Sequence, residues 1–481
     1  MKSTAKRLYI STFALLVTLL NIGCTTDVID RGTDNEEEEE ELVDTFVVEW
    51  MDAILNTYYL YNDEYKTLDR DLSLSYDKFL DATLKSMTTN VLDYKDGSLY
   101  TGVYRTASTK ATTRISDSKV NEITLGLAYV CYVAYSNSTS YGIGISAVYP
   151  DSPLSEAGVK RGDIIVGVNG ESLTTSNING WTQLILQPTF SNTTYSLDLE
   201  DGRSISVTST SMQCNPILSS LIYEEGAKKI GYISYLSFDA AWDDELMAIM
   251  VNFKASGVTD LILDMRLNSG GYISTSNKLS SAIGGVSTED QVFAYYTYND
   301  TRMASLNDSY KVENFKSEWS KYHLDLDSFV CLVTGSTASA SELVVNSLRG
   351  VDKDVILIGE QTEGKNVAME VFDMSYESYD YSFYPISILV SNAKGFNDYA
   401  NGLTVDYEVS DWGDAGENFK DFSAEEIMIS TALSYIKTGL FTNDTTAPGE
   451  GSRSTSTTTI PKTRGRILSA NSSLDGSILI R

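Results

Sequence analysis

The sequence predicts a multidomain α/β protein, and three observations carry that reading. Its 481 residues are enough for about three domains at ~150 residues each. Between residues 214 and 440, short apolar runs rich in β-branched residues alternate with segments of helical period, the pattern of a strand–helix core. Ahead of that core, the periodicity changes from helical over residues 43–100 to strand-like with turn pairs such as Asn169-Gly170.

The elements follow in order. Residues 1–24 have the build of an export signal. Lys2, Lys6 and Arg7 precede an apolar stretch from Leu8 to Leu20 that is too short for an ordinary membrane span. Ile22-Gly23-Cys24 resembles the end of a bacterial lipobox, although Asn21 departs from its aliphatic preference. The implied arrangement is an exported chain of the bacterial cell envelope, lipidated at Cys24 and anchored to a membrane. Residues 25–42, with Glu36 to Glu41, are expected to form an acidic, solvated tether. Residues 43–118 are expected to be a mainly helical N-terminal region. Phe46, Val47, Trp50, Ile54 and Tyr58 share one face, as do Phe79, Leu80, Leu84 and Met87.

In the core, Lys229–Leu236 and Asp260–Met265 are expected strands, with a helix over Asp243–Ala255 between them. A further buried strand, Phe329–Val333, runs into Gly335-Ser336-Thr337-Ala338-Ser339-Ala340-Ser341-Glu342 and then a helix-like segment, Leu343–Leu348. A strand, a turn of small residues and a helix together present a hydroxyl beside free backbone N–H groups and the positive end of a helix dipole. Ser336, Ser339 and Ser341 are the rival hydroxyls. Serine needs a base, and the single histidine, His323, lies in an amphipathic segment. The next candidate is Lys365, in Gly359-Glu360-Gln361-Thr362-Glu363-Gly364-Lys365, which serves if burial keeps its amine neutral. The same stretch imitates a phosphate loop. It carries Asn366 where Ser or Thr is needed, and a strand-like run, Val367–Phe372, where a helix is needed.

Taken together, these motifs resemble the C-terminal processing (tail-specific) serine proteases over roughly residues 120–410. The resemblance implies an α/β, crotonase-like protease core over residues 214–440, with Ser339 as nucleophile and Lys365 as base. Asp264-Met265-Arg266-Leu267-Asn268-Ser269-Gly270-Gly271 resembles a second family motif. It implies that a backbone N–H of Gly270 or Gly271 joins that of Ala340 in an oxyanion hole. The family often places glutamine four residues after the lysine, where this chain has Met369. Residues 119–213 resemble a PDZ domain, a β-sandwich or barrel-like fold. Gly142-Ile143-Gly144-Ile145 matches its carboxylate-binding loop and following strand, and Asp151–Asp163 its helix and turn. That implies recognition of substrate C-terminal segments by strand addition.

Composition narrows the alternatives. Asp and Glu number 66 against 36 Lys and Arg, a net charge of −30, which repels nucleic-acid backbones. One histidine argues against a His-rich zinc centre, and no metal or cofactor is implied. With Cys24 modified, Cys131, Cys214 and Cys331 leave no complete disulfide framework. Residues 441–481, rich in Ser, Thr and basic residues, are expected to be a mobile tail in which Ile467-Leu468 and Ile478–Ile480 are apolar enough to dock. The expected function is an exported serine endopeptidase acting on protein or peptide substrates. The alternative is a catalytically silent peptide-binding lipoprotein.

Overall fold

A computed structural model describes residues 35–107 except Asp96, 119–135, 140–413, 416–441, 462–469 and 478–480. The proposed export signal and Cys24 lie outside the described residues.

The N-terminal segment opens with helix α1 (Asn35–Tyr58). It includes the acidic run that was expected to be a tether. Glutamate forms helices well, and negative charge is favourable in a helix's first turns. Val47, Val48, Met51, Ile54 and Leu55 are buried, as are Phe79, Leu80 and Leu84 of α2 (Tyr76–Leu84). Residues 94–107 are not helical. They include two short strands and then β1 (Gly102–Ala107).

In the next domain, strands β2 (Leu127–Tyr135), β3 (Tyr141–Val148) and β4 (Ile164–Val168) precede helix α3 (Ile178–Leu186). Strands β5 (Thr194–Leu199) and β6 (Ser204–Thr208) complete a sheet of order β6-β5-β4-β3-β2. Leu127, Val130, Ile143, Ile145, Ile165 and Leu197 form its core. Pairing of Asn121–Thr124 with Thr210–Gln213 draws the two ends of the domain together.

The core domain begins with β7 (Ile217–Glu225), β8 (Lys228–Tyr235), α4 (Asp243–Ser256) and β9 (Asp260–Asp264). Strand β10 (Gly271–Tyr272), α5 (Ile273–Gly284), β11 (Val292–Thr297) and β12 (Val312–Asn314) follow. Then come β13 (Ser328–Val333), α6 (Ala340–Gly350), β14 (Ile356–Gly359) and β15 (Val367–Glu370). The hairpin β16 (Phe372–Tyr376) and β17 (Tyr379–Tyr384), β18 (Ile386–Ser391), β19 (Tyr407–Glu408) and α7 (Ile427–Thr438) complete it.

The principal sheet has the order β7-β8-β9-β13-β14-β19 and is parallel from β8 onward, as short strands joined by crossover helices require. The hairpin receives both the N-terminal helix and β1. Phe46, Trp50 and Tyr58 meet Tyr376, Phe383 and Phe372 at ring-centroid distances of 4.3, 6.0 and 4.7 Å, and β1 pairs with β17. The N-terminal segment is thus a cover of the core rather than a separate lobe.

A buried charge cluster joins the PDZ-like domain to the core. Arg161 donates to Asp411 (2.6 Å), which also accepts from Arg266 (2.8 Å), and Arg266 pairs with Asp264 and Glu426. Groups this desolvated persist only when mutually satisfied. The cluster therefore fixes the loop that begins at Arg266.

Two strands come from the tail that was expected to be mobile. Strand β20 (Lys462–Ser469) pairs antiparallel with β2, and β21 (Ile478–Ile480) pairs parallel with β10 and β15. The apolar groups at 467–468 and 478–480 mark the segments that dock, and an open strand edge is a ready template for them.

Candidate active site

The turn after β13 is fastened to the loop after β9. Thr337 Oγ1 donates to Met265 O (2.8 Å), Ala338 N–H to Asn268 O (3.1 Å) and Ser341 Oγ to the same Asn268 O (2.9 Å). Ser341 therefore spends its hydroxyl on structure. Ser339 stands apart. It is fully buried, its Oγ has no hydrogen-bond partner among the described residues, and its backbone lies at φ +67°, a region unfavourable for any residue but glycine. Strain of this kind persists where the surroundings over-determine it, which happens most at functional sites.

Glu342 holds that conformation. Its Oε2 accepts from Ser339 N–H (2.8 Å) and Lys365 N–H (2.9 Å), and its Oε1 from Gly364 N–H (2.8 Å) and Thr362 Oγ1 (2.5 Å). One carboxylate oxygen thus ties the backbones of the two residues singled out as nucleophile and base. Burial raises the Glu342 pKa to about 7 against these four donors, which favour the ionised form.

Lys365 is buried, and loss of hydration lowers its pKa to about 7, with Asp93, Glu363 and Glu342 opposing that fall. Its Nζ contacts Met369 Sδ at 3.9 Å and lies 4.4 Å from the centre of the Tyr100 ring. Thioether sulfur is a weak acceptor. The amine therefore lacks the strong partner that would hold it protonated. No hydrogen bond joins it to Ser339 Oγ in this structure.

The pocket around the amine is closed by the N-terminal cover. Lys95 Nζ donates to Glu363 O (2.7 Å), and Tyr100 hydroxyl to Glu363 Oε1 (2.8 Å). Asp93 accepts from Tyr59 hydroxyl (2.5 Å), Thr101 N–H (2.7 Å) and Thr101 Oγ1 (2.8 Å), and burial raises its pKa to about 6. Sequence reasoning did not find Asp93 or Tyr100. Both sit in a stretch taken as helical, and only the Tyr/Asp/Thr clustering at 93–101 hinted at anything else.

Facing Ser339 is Gly270, at φ +115°. A Cβ there would stand 2.7 Å from Ser339 Cβ, 2.9 Å from its Oγ and 3.1 Å from Ala340 N, so only glycine fits. Ala340 is the first residue of α6, where the N–H has no intrahelical acceptor. The Gly270 N–H, however, donates to Asn268 Oδ1 (2.9 Å). Of the two glycines expected to offer a donor, Gly270 has its N–H engaged in this state.

The expected carboxylate-binding loop needs correction. Gly142, Ile143, Gly144 and Ile145 lie within β3, paired with β2 on one side and, at Ile143 and Gly144, with β4 on the other. Ile143 and Ile145 are fully buried, and a Cβ at Gly142 would come within 2.5 Å of Ile164 Cγ2. The glycines there serve close strand packing. Beyond β3 on that side lies β2, entered through Leu125-Gly126 with Gly126 at φ +105°, and its outer edge is paired with β20. His323 is bound to Ser320 O (2.6 Å) and Asp325 Oδ1 (3.1 Å), apart from this constellation. No metal-ligating cluster occurs among the described residues.

A PDZ-like sheet joined to an α/β core, with a serine and a lysine gathered at one carboxylate, defines a class of serine peptidase architecture. Comparison with known proteins agrees. Residues 229–409 match the model of peptidase family S41, and residues 144–194 that of the PDZ domain. In both matches the chain is similar to the C-terminal processing serine proteases that carry a PDZ domain.

The chain is 25% identical over 252 residues to the chloroplastic carboxyl-terminal-processing peptidase 2 of Arabidopsis thaliana, covering 51% of this chain and 46% of that protein. It is 29% identical over 215 residues to the carboxy-terminal processing protease CtpA of Bacillus subtilis, covering 44% and 42%. The matches span about half the length of these curated relatives. A crystal structure of a Bacteroides fragilis protein named for the S41 proteases has the same fold, with a TM-score of 0.64 and 23% identity over 86% of this chain and 99% of that one.

Proposed function

We propose that this chain is an exported serine endopeptidase in which Ser339 is the nucleophile and Lys365 the general base. The observation that carries the reading is the shared Glu342 oxygen, which ties a strained, unpartnered serine to a buried lysine of near-neutral pKa. Neutral Lys365 Nζ takes the Ser339 proton as Oγ bonds to the peptide carbonyl carbon. The oxyanion meets the Ala340 N–H and a glycine N–H of the 270–271 turn. The C–N bond breaks as the lysine proton passes to the leaving amine, and water then hydrolyses the acyl ester by the same route. A rotamer change of Lys365 from Met369 toward Ser339 belongs to this reading, because catalytic hydrogen bonds commonly tighten only with substrate bound.

The reading keeps a crotonase-like core, supported by the parallel run β8-β9-β13-β14 with its intervening helices. It also keeps lipidation at Cys24, supported by Ile22-Gly23-Cys24, and recognition of peptides by the PDZ domain, now assigned to the β2 edge. The test is an acylating serine-protease probe on the purified chain, followed by mass spectrometry. A single adduct on Ser339, growing with pH through about 7, is the expected result. No adduct, or one on Ser336 or Ser341, would overturn the assignment.

A further inference from the structure

The sheet that holds β15, the strand just after Lys365, has the order β10-β21-β15-β18-β11-β12. Strands β10 and β15 do not pair with each other. They are bridged by residues 478–480, with Gly271 opposite Ile478, Tyr272 and Met369 both opposite Leu479, and Glu370 opposite Ile480. Without that segment the sheet holds a slot one strand wide. One wall begins at the glycine turn facing Ser339, and the other begins two residues after Lys365. A peptide in that slot would be extended, with its backbone read from both sides.

The second open edge is that of β2, and the same tail fills it. Lys462, Thr463 and Arg464 pair with Tyr135, Ala134 and Val133, and after a bulge Ile467, Leu468 and Ser469 pair with Cys131, Val130 and Tyr129. The pairing is antiparallel to the strand that follows Leu125-Gly126. Residues 451–474 also include Arg453, Lys462, Arg464 and Arg466 and no Asp or Glu, in a chain of net charge −30. Attraction therefore favours the tail's return to the body at low salt.

We propose that the tail segments 462–469 and 478–480 are a built-in ligand of this protein, filling the PDZ edge and the slot beside Ser339 together and competing with outside peptides for both. The two strands lie on one short length of chain, so docking of one raises the local concentration of the other. An outside peptide gains access only when it displaces them. The consequence for activity rests on the peptidase reading above; the placement of the strands does not.

The experiment uses the full chain and two proline variants, Ile467→Pro and Leu479→Pro, each of which places a residue without a backbone N–H and with a fixed φ inside one pairing. Hydrogen exchange by mass spectrometry follows residues 127–135 and 367–370, with 230–235 and 260–264 as the control for an intact core. Cleavage of labelled casein and acylation of Ser339 are measured in parallel. The expected result is exchange faster by about tenfold at 127–135 in Ile467→Pro and at 367–370 in Leu479→Pro, with control segments unchanged and cleavage and acylation several-fold faster. Unchanged exchange at both segments would overturn the proposal, and so would freed strands with no gain in cleavage by an enzyme that is active. If Leu479→Pro loosens the control segments, the triple variant Ile478→Gly, Leu479→Gly, Ile480→Gly replaces it. If no form cleaves casein or acylates, the peptidase reading has failed, and exchange alone decides whether the tail fills the slots.

Discussion

The serine turn and the lysine pocket are built in opposite ways. Ser339 takes its own backbone shape from nearby groups, Glu342 three positions on and the start of α6, while the loop after β9 anchors the rest of its turn. Lys365 takes its shape from Gly364 and Glu342 but its chemistry from elsewhere. Tyr100 and Asp93 reach it from the N-terminal cover, more than 260 residues away in sequence. Geometry at this site is mainly local, whereas the proton affinity of the base is assembled at long range.

The sharpest test of the local half is Ser339→Ala. Loss of the nucleophile is expected to lower kcat/KM for peptide cleavage by at least about 10³-fold. Thermal stability should hold, because the hydroxyl makes no bond to lose and Glu342 still receives the backbone N–H. Retained activity in a folded Ser339→Ala protein would break the comparison at its first term.

For the long-range half, Lys365→Met is expected to cost nearly as much activity while raising stability. The folded pKa of Lys365 lies below its unfolded value. The unfolded chain therefore binds the extra proton between those values, and stability rises with pH across that window. The destabilisation is complete below about pH 7 and vanishes above the ordinary lysine range. The Met variant's advantage in melting temperature should accordingly be largest at pH 7 and below and close by about pH 10.5. In the wild-type enzyme, activity should rise with pH through about 7 as the amine becomes neutral. An equal melting-temperature difference at every pH would mean that the amine is not desolvated as the structure implies.

Tyr100→Leu separates packing from electrostatics. The ring's face stabilises the ammonium form by ~0.5–1 kcal/mol. Its removal should move the acid limb of the pH–activity profile down by about half a unit, with a modest fall in plateau rate. A limb that stays in place would confine Tyr100 to closing the pocket.

The same division explains what was legible in the sequence. The turn at 335–342 was visible as small residues between a strand and a helix, but its role and that of the glycine at 270 came from the resemblance to a family motif. The alternation of strands and helices over 214–440 was equally clear. Residues 102–107 were misjudged because their strand is set by β17, 272 or more residues along the chain, and no local period announces that, whereas 94–99 form a short local hairpin. The Gly142–Ile145 assignment failed for a related reason. A glycine in a strand and a glycine in a ligand loop look alike until the neighbours of the strand are known, and here β2 and β4 occupy both sides. The tail was taken as mobile because its composition is that of a loop, and the open edges it fills exist only in the folded sheet.

Met369→Gln is the smallest expected effect and bears directly on how the long-range pocket sets the base. Among the described residues the amine's hydrogen-bond contact is a thioether at 3.9 Å. Gln at 369 would place an amide carbonyl near Lys365 Nζ, an acceptor worth about 1 kcal/mol to the form it binds. A neutral amine and an ammonium both donate, but the charged form gains more, so the acid limb should move up by less than about one pH unit. Above that limb the carbonyl would hold an N–H and leave the nitrogen lone pair free for the Ser339 proton, raising kcat/KM by at most about tenfold. The two effects have opposite signs below and above pH 7, so a full pH profile resolves them where a single-pH assay would not. A uniform fall in rate at all pH values would mean that Gln crowds a site shaped for the thioether, whose side chain is 1% exposed. In that case burial and the Tyr100 ring, rather than an orienting acceptor, set the reactivity of Lys365.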